Sequence, residues 1–253
     1  IKELQKTGDV GLWCHGFHLQ DGYPRYYGTR GMTTIPKNLA QNNEIRLQER
    51  VIRFAPQNDL WQIWTQAGKE YVSRGLVITC PLPQSVSLLE ESSINLSETN
   101  KQVLQGISYD PCIALLALLK NASFIPSPGA IQIQDGPIAL IADNQQKGIS
   151  PVPAVTIHAS APFSVDNYDE NDEVIILNLL DAAKQWIPEA PAEVQVKRWK
   201  YSQPRALVNN RFFLLQKNPP LLLAGDAFYE PRVEGAALSG LEASNRMSSL
   251  LNP

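Results

Sequence analysis

The segment from Leu221 to Leu251 constrains this chain most. Leu221-Leu222-Leu223-Ala224 reads as a short buried strand, Gly225-Asp226 stops it, and Pro231 opens a helix shortly afterwards. Proline suits a first helical turn because its φ is already set and its missing N–H would have no helical partner there. Along the helix Ala236, Gly240, Ala243 and Met247 follow one another at four, three and four residues. They form a stripe of mostly small side chains on one face, which admits something flat or another backbone. The helix start lies within about ten residues of Asp226 and offers free N–H groups and a partial positive charge, suited to a phosphate or an electron-rich ring edge. Asp226 can accept a hydrogen bond from a sugar-type hydroxyl at the same place. Gly-Asp alone is also an ordinary turn. With the continuation AFYEPRVEGAALSG, in which Gly235 and Gly240 permit close approach, the segment reads as a cofactor-binding strand-turn-helix.

The remaining composition excludes several classes. The chain has 253 residues, 43% hydrophobic, with 22 Lys+Arg against 25 Asp+Glu and a net charge of −3. That balance excludes a strongly basic nucleic-acid binder, which needs clustered cations in excess. Its longest apolar runs, such as Ile113 to Leu119, fall far short of the roughly 18 residues of a membrane span. Cys14, Cys80 and Cys112 are odd in number and lack CxxC spacing, which argues against a disulfide framework or zinc site and for a reducing, cytoplasmic compartment. The chain opens on Ile1-Lys2-Glu3, with no leader pattern, and reads as a fragment or a chain whose beginning is not shown.

Periodicity supplies the elements between. Residues 31–40 carry apolar positions at Met32, Ile35, Leu39 and Ala40, predicting a core-facing helix with Thr33 or Thr34 as cap. Runs at 44–54, 60–66 and 70–80 predict a three-strand meander, turned at Pro56 to Asp59 and ending in a strand at Leu76 to Ile78 buried on both faces. Helices are expected at 83–89 and 94–103, then strands at 112–119, 130–134, 137–142 and 155–159. A loop is expected at 164–171, a helix at 174–186 facing inward through Val174, Leu177, Leu180, Ala183 and Trp186, and a strand at 193–201. No internal repeat is visible, which argues against a solenoid.

LLLAGDAFYEPRVEGAALSG resembles the C-terminal flavin-binding motif of the FAD-dependent amine-oxidase-like superfamily. RYYGTRGMTTIPKNLA at Arg25 to Ala40, Asp143-Asn144 in IALIADNQQK, and VTIHASAPFSVDNY followed by KRWKYSQP narrow the likeness to the renalase family and its bacterial relatives. They stand in the family's order and spacing, and the resemblance covers nearly all the chain from about Gly11 onward. It implies a mixed α/β fold: part of a discontinuous FAD-binding domain of the glutathione-reductase type, at 28–84 and 220–253, and a mixed-sheet substrate domain at 1–27 and 85–219. It further implies hydride transfer from a small reduced substrate to FAD and reoxidation by dioxygen to give hydrogen peroxide, the family's substrates being isomeric forms of reduced NAD(P). The flavin ring does the chemistry, and the protein positions it and excludes side reactions.

Carried over residue by residue, the resemblance implies that Asp226, with Gly225, binds the ribityl or pyrophosphate part of FAD. Arg232, Val233, Glu234, Gly235 and Ala236 fall at the helix end beside the pyrimidine side of the flavin, where the dipole favours negative charge. Val51 in ERVIRF matches the position that meets adenine through its backbone, and Gly31 and Met32 match the glycine-led helix start near the flavin. Each is otherwise a core or turn residue. His158 lies on an apolar strand, either as a hydrogen-bonded core histidine or facing the flavin from the substrate sheet. Asn144 reads as a nicotinamide-recognising amide or a turn residue, Trp199 as an aromatic wall or a core aromatic, and Tyr201 as a further pocket candidate. His15 and His18, with only Asp21 nearby, match no metal pattern, so no metal is expected. There is no GxSxG, which sets Ser-His-Asp catalysis aside. Arg25, Arg30, Lys37, Arg46, Arg50 and Arg53 are a local basic excess, open to a nucleotide phosphate or a solvated face.

The family pattern also calls for an N-terminal GxGxxG unit, and no such motif occurs in the 253 residues. The chain as given is therefore expected to hold half a FAD site, binding the cofactor weakly or not at all. The strands at Leu76 to Ile78 and Leu221 to Ala224 are expected to expose edges or be covered by an oligomer. Two other functions remain open: a flavin amine oxidase on another small substrate, and a non-catalytic binding module without the nucleotide unit.

Overall fold

The computed structural model describes residues 1–17 and 22–252, which divide into two compact units. Unit one comprises Ile1–Ile45 and Pro111–Lys200; unit two comprises Arg46–Asp110 and Tyr201–Pro253. The chain opens with α1 (Lys2–Lys6), β1 (Val10–Cys14), β2 (Arg25–Gly28) and α2 (Thr34–Leu39). It crosses into unit two with β3 (Val51–Gln57), β4 (Leu60–Thr65), β5 (Glu70–Ser73), β6 (Leu76–Ile78), α3 (Leu82–Glu91) and α4 (Glu98–Gln105). Unit one resumes within β7 (Tyr109–Leu118) and continues through β8 (Ala130–Gln132), β9 (Ile138–Asp143), β10 (Ala154–Ala159), α5 (Ala161–Asp166) and α6 (Asp172–Ala183). The second crossing falls within β11 (Glu193–Pro204), followed by β12 (Phe213–Lys217), β13 (Pro220–Leu223) and α7 (Arg232–Leu251).

In unit two, β3, β4 and β5 form the expected meander. Its first turn is tighter than the sequence suggested: Gln57 pairs with Leu60, and Asn58 and Asp59 both hold positive φ, as a two-residue type I′ turn requires. Ile45 and Leu47 precede the strand and are exposed. The third run does not continue to Cys80 as one strand. It breaks at Gly75, where any Cβ would overlap the Met247 sulfur, and Leu76–Ile78 joins another sheet.

That sheet has the order β12-β13-β6, with Leu221, Leu222 and Leu223 parallel to Leu76, Val77 and Ile78. The expected bare edge at Leu221 to Ala224 is corrected here. β13 is central, pairs on both sides and has all four residues buried, while β6 and β12 are the outer strands. Phe54 and Trp61 are fully buried edge to face at 5.2 Å, and Trp61 Nε1 donates to the Pro220 carbonyl, which ties the meander to β13. Leu82, Val86 and Leu89 of α3 complete this core.

In unit one, five strands lie in the order β11-β7-β10-β9-β8. One sheet face, bearing Ile113, Leu115, Ile141, Val155 and Ile157, packs on α6. The buried face of α6 is not the predicted one. Ile175, Leu179 and Ala183, spaced by four, face the core, whereas Val174 and Leu177 are exposed. Asp172 of its first turn takes Arg198 at 2.6 Å, and Arg198 also donates to the carbonyls of Tyr168 and Glu170. Part of the predicted loop at 164–171 is helical, since the Ser160 side chain caps α5 by accepting the Phe163 N–H. On α2 only Ile35 of the predicted apolar positions is buried; Met32 and Leu39 are exposed. Among the described residues no helix is long and apolar enough to cross a membrane, and the three cysteines are free.

Candidate cofactor and substrate sites

In unit two, the chain leaves β13 through Gly225, whose φ of 144° favours glycine. The Gly225 N–H donates to buried Ser239 Oγ at 2.9 Å, and that hydroxyl donates to the Arg211 carbonyl. Arg211 pairs with Glu230 and Glu242 and covers the Tyr229 ring, so the turn before α7 is held from several sides. Tyr229 and Arg232 both carry positive φ, 67° and 72°, a strained path sustained by those contacts. No side chain caps the first turn of α7.

Beside this turn lies a cavity of about 560 Å³, lined by residues that include Thr79, Gly225, Asp226, Arg232, Val233, Ala236 and Gly240. The small-residue stripe divides in function. At Gly240 an added Cβ would meet nothing, so its face is open, whereas Ala243 packs on Leu222 and Ala224. Gly235 is accounted for by the chain itself: the Glu230 carbonyl occupies the space of a Cβ, so the close approach is internal. Glu234 is exposed and outside the cavity lining.

Tyr109, which the sequence reading did not select, completes this corner. Its hydroxyl donates to Asp226 Oδ1 at 2.8 Å and accepts the Leu82 N–H at 3.5 Å, and its ring meets Tyr201 edge on at 5.8 Å. Burial, then the bond to Asp226 and its charge, push the phenol well above its ordinary 10.0. Tyr109 is therefore a neutral donor across the physiological range. Sequence pattern alone gave no signal for it, since SYDP at 108–111 looks like an ordinary strand start.

Val51 lines a separate groove of about 680 Å³ with Arg50, Cys80, Gln84 and Glu91. It lies on β3, an outer strand paired only with β4, so part of its backbone is not used in the sheet. Gly31 and Met32 lie in unit one, in the tight turn before α2, where Gly31 holds a φ of 91° and its carbonyl fills the space of a Gly28 Cβ. Asp9 anchors that turn by accepting from Thr7, Arg30 and Asn38.

The remaining unit-one candidates share the sheet face opposite α6. His158 is exposed there, not in the core, paired between Ala114 and Leu140 with Cys112 Sγ 3.8 Å from Nδ1. Desolvation by the surrounding protein lowers its pKa, and the Lys147 charge lowers it further. Lys147 is itself lowered by burial and stands 4.2 Å from the Trp13 ring centre. Val194 and Val196 face the core, which turns Trp199, exposed by 62%, to the open side. Asn144 donates to Thr156 Oγ1 at 2.9 Å and lines a cleft of about 360 Å³ with Leu116, Leu118 and Glu193. His158 and Trp199 do not line that cleft, so the face carries these groups at separate places. His18 and Asp21 lie outside the described residues. Among the described residues no group of three His, Cys, Asp or Glu side chains is placed to hold a metal.

The family model described as flavin containing amine oxidoreductase matches residues 7–248. The chain belongs to this family. Renalase from Mus musculus is 23% identical over 238 residues, which are 89% of this chain and 70% of that protein. Among solved structures, a candidate protoporphyrinogen oxidase from Exiguobacterium sp. 255-15 aligns with a TM-score of 0.70 at 16% identity, covering 89% of this chain and 52% of that one. Putrescine oxidase bound to putrescine gives 0.67 at 13%, covering 89% and 54%. A fatty acid isomerase from P. acnes gives 0.61 at 13%, covering 85% and 51%. At these identities the likeness is one of fold, and the chain spans about half the length of the structures it matches.

Proposed function

We propose that the protein is a renalase-like flavin-dependent oxidoreductase, in which unit two holds FAD and unit one the substrate. The substrate we assign is an isomeric form of reduced NAD(P). It gives up a hydride and leaves as the oxidised nucleotide, and dioxygen, taking that hydride's two electrons and its one proton together with a second proton from solvent, becomes hydrogen peroxide. The observation that carries this reading is the cavity between Asp226 and the first turn of α7.

The residues present fit the cofactor. Asp226 supplies a carboxylate acceptor for a ribityl or pyrophosphate-proximal hydroxyl, and the uncapped first turn of α7 supplies N–H donors and positive potential for an electron-rich ring edge. Ala236 and Gly240 keep side chains from filling the cavity. When bound, FAD supplies the hydride acceptor. Arg50 and the open backbone of β3 at Val51 are assigned to the adenine end.

In unit one, Asn144 spends an amide proton on Thr156 and keeps its carbonyl oxygen for a carboxamide N–H. Trp199 offers an exposed ring for stacking, and His158, held neutral, offers a hydrogen bond to a ribose or carboxamide. The free cysteines are compatible with a reducing cytoplasm, where we place the protein.

The test is a visible spectrum of the full-length protein, followed by anaerobic additions. Flavin bands that bleach with an isomeric reduced nicotinamide dinucleotide support the proposal. Bleaching only with amines moves the assignment to amine oxidation, and a colourless protein that FAD cannot reconstitute identifies a binding module.

A further inference from the structure

We propose that Tyr109 is a positioning residue that orients the Asp226 carboxylate toward the cofactor. The proposal rests on the reading that the Asp226 cavity holds the flavin nucleotide. An aspartate on a turn rotates about its last side-chain bond, so an unrestrained carboxylate would lose that freedom on binding a ligand hydroxyl. Tyr109 removes the freedom beforehand. Its O–H donates to Oδ1 at 2.8 Å and its oxygen takes the Leu82 N–H, while its ring rests against Tyr201. The phenol is therefore fixed from α3 and β11 as well as from its own strand. Because it stays protonated, its single proton is committed to Oδ1, and Oδ2 is left to accept from the cavity. Asp226 lines that cavity and Tyr109 does not, so Tyr109 acts through Asp226.

A double-mutant cycle on full-length protein separates this role from a structural tether, with the FAD dissociation constant as readout. Tyr109→Phe keeps the ring and its contact with Tyr201 and removes only the hydroxyl. Alone, it is expected to weaken FAD binding about five- to tenfold, less than the full worth of a hydrogen bond to a charged group because Tyr109 acts only through Asp226. In the Asp226→Ala background it is expected to change the constant by less than about twofold, since the group it orients is gone. An equal loss in both backgrounds, matched by equal falls in the unfolding midpoint of the apoprotein, would make Tyr109 a tether and overturn the proposal. If Asp226→Ala weakens FAD and Tyr109→Phe does not, the positioning role alone fails. If Asp226→Ala itself leaves FAD binding unchanged, the reading of the cavity fails, and the role of Tyr109 with it.

Discussion

The Glu230 carbonyl stands where a Gly235 side chain would begin, while five residues along the same helix Gly240 faces open cavity. The two glycines are therefore expected to respond oppositely to alanine. Gly235→Ala must push the start of α7 away from the turn and should destabilise the apoprotein by about 1–3 kcal/mol. Gly240→Ala should stabilise it by up to ~1 kcal/mol, as expected of glycine replacement inside a helix, and should weaken FAD. Denaturant unfolding of the two variants, with a cofactor titration of the second, checks both expectations.

Tyr109 gives stability a pH dependence of defined sign. Its folded pKa lies above the unfolded 10.0, so folding favours the protonated phenol. That contribution is complete below the unfolded pKa and is lost as pH rises through the folded one. The stability difference between the native chain and Tyr109→Phe should stay constant up to about pH 9 and shrink above about pH 10. Unfolding curves for the pair across that range read it directly, and a constant difference throughout would contradict it.

His158 behaves in the opposite direction. Desolvation first and Lys147 second hold its imidazole below 6.5, so folding favours the neutral ring and that contribution falls away as pH drops below 6.5. Lys147→Met should raise the midpoint of the His158 NMR titration while leaving it below 6.5, because the larger cause remains. An unmoved midpoint would remove Lys147 from the account.

The elements whose burial follows local pattern were legible in the sequence, and those set by tertiary fit were not. β13 and α7 could be read because a continuous apolar run and a proline start are local signals. The inward face of α6 could not, since Val174, Ile175, Leu177 and Leu179 are all apolar and only the sheet beneath decides which face turns in. The space beside Gly75, where the third run breaks, is filled by Met247 and Pro220, both far along the chain. At the candidate site Asp226 was visible through its Gly-Asp turn, whereas its partner Tyr109 lies 117 residues away. Gly235, read as making room for a ligand, makes room for the backbone of Glu230.

The most direct measurement of the central claim is amide hydrogen exchange on the full-length apoprotein with and without FAD. The account predicts new protection at Asp226 and at the free amides of the first turn of α7, Arg232 to Glu234, when the cofactor is added. Binding that protects other segments and leaves these amides exchanging as before would contradict it.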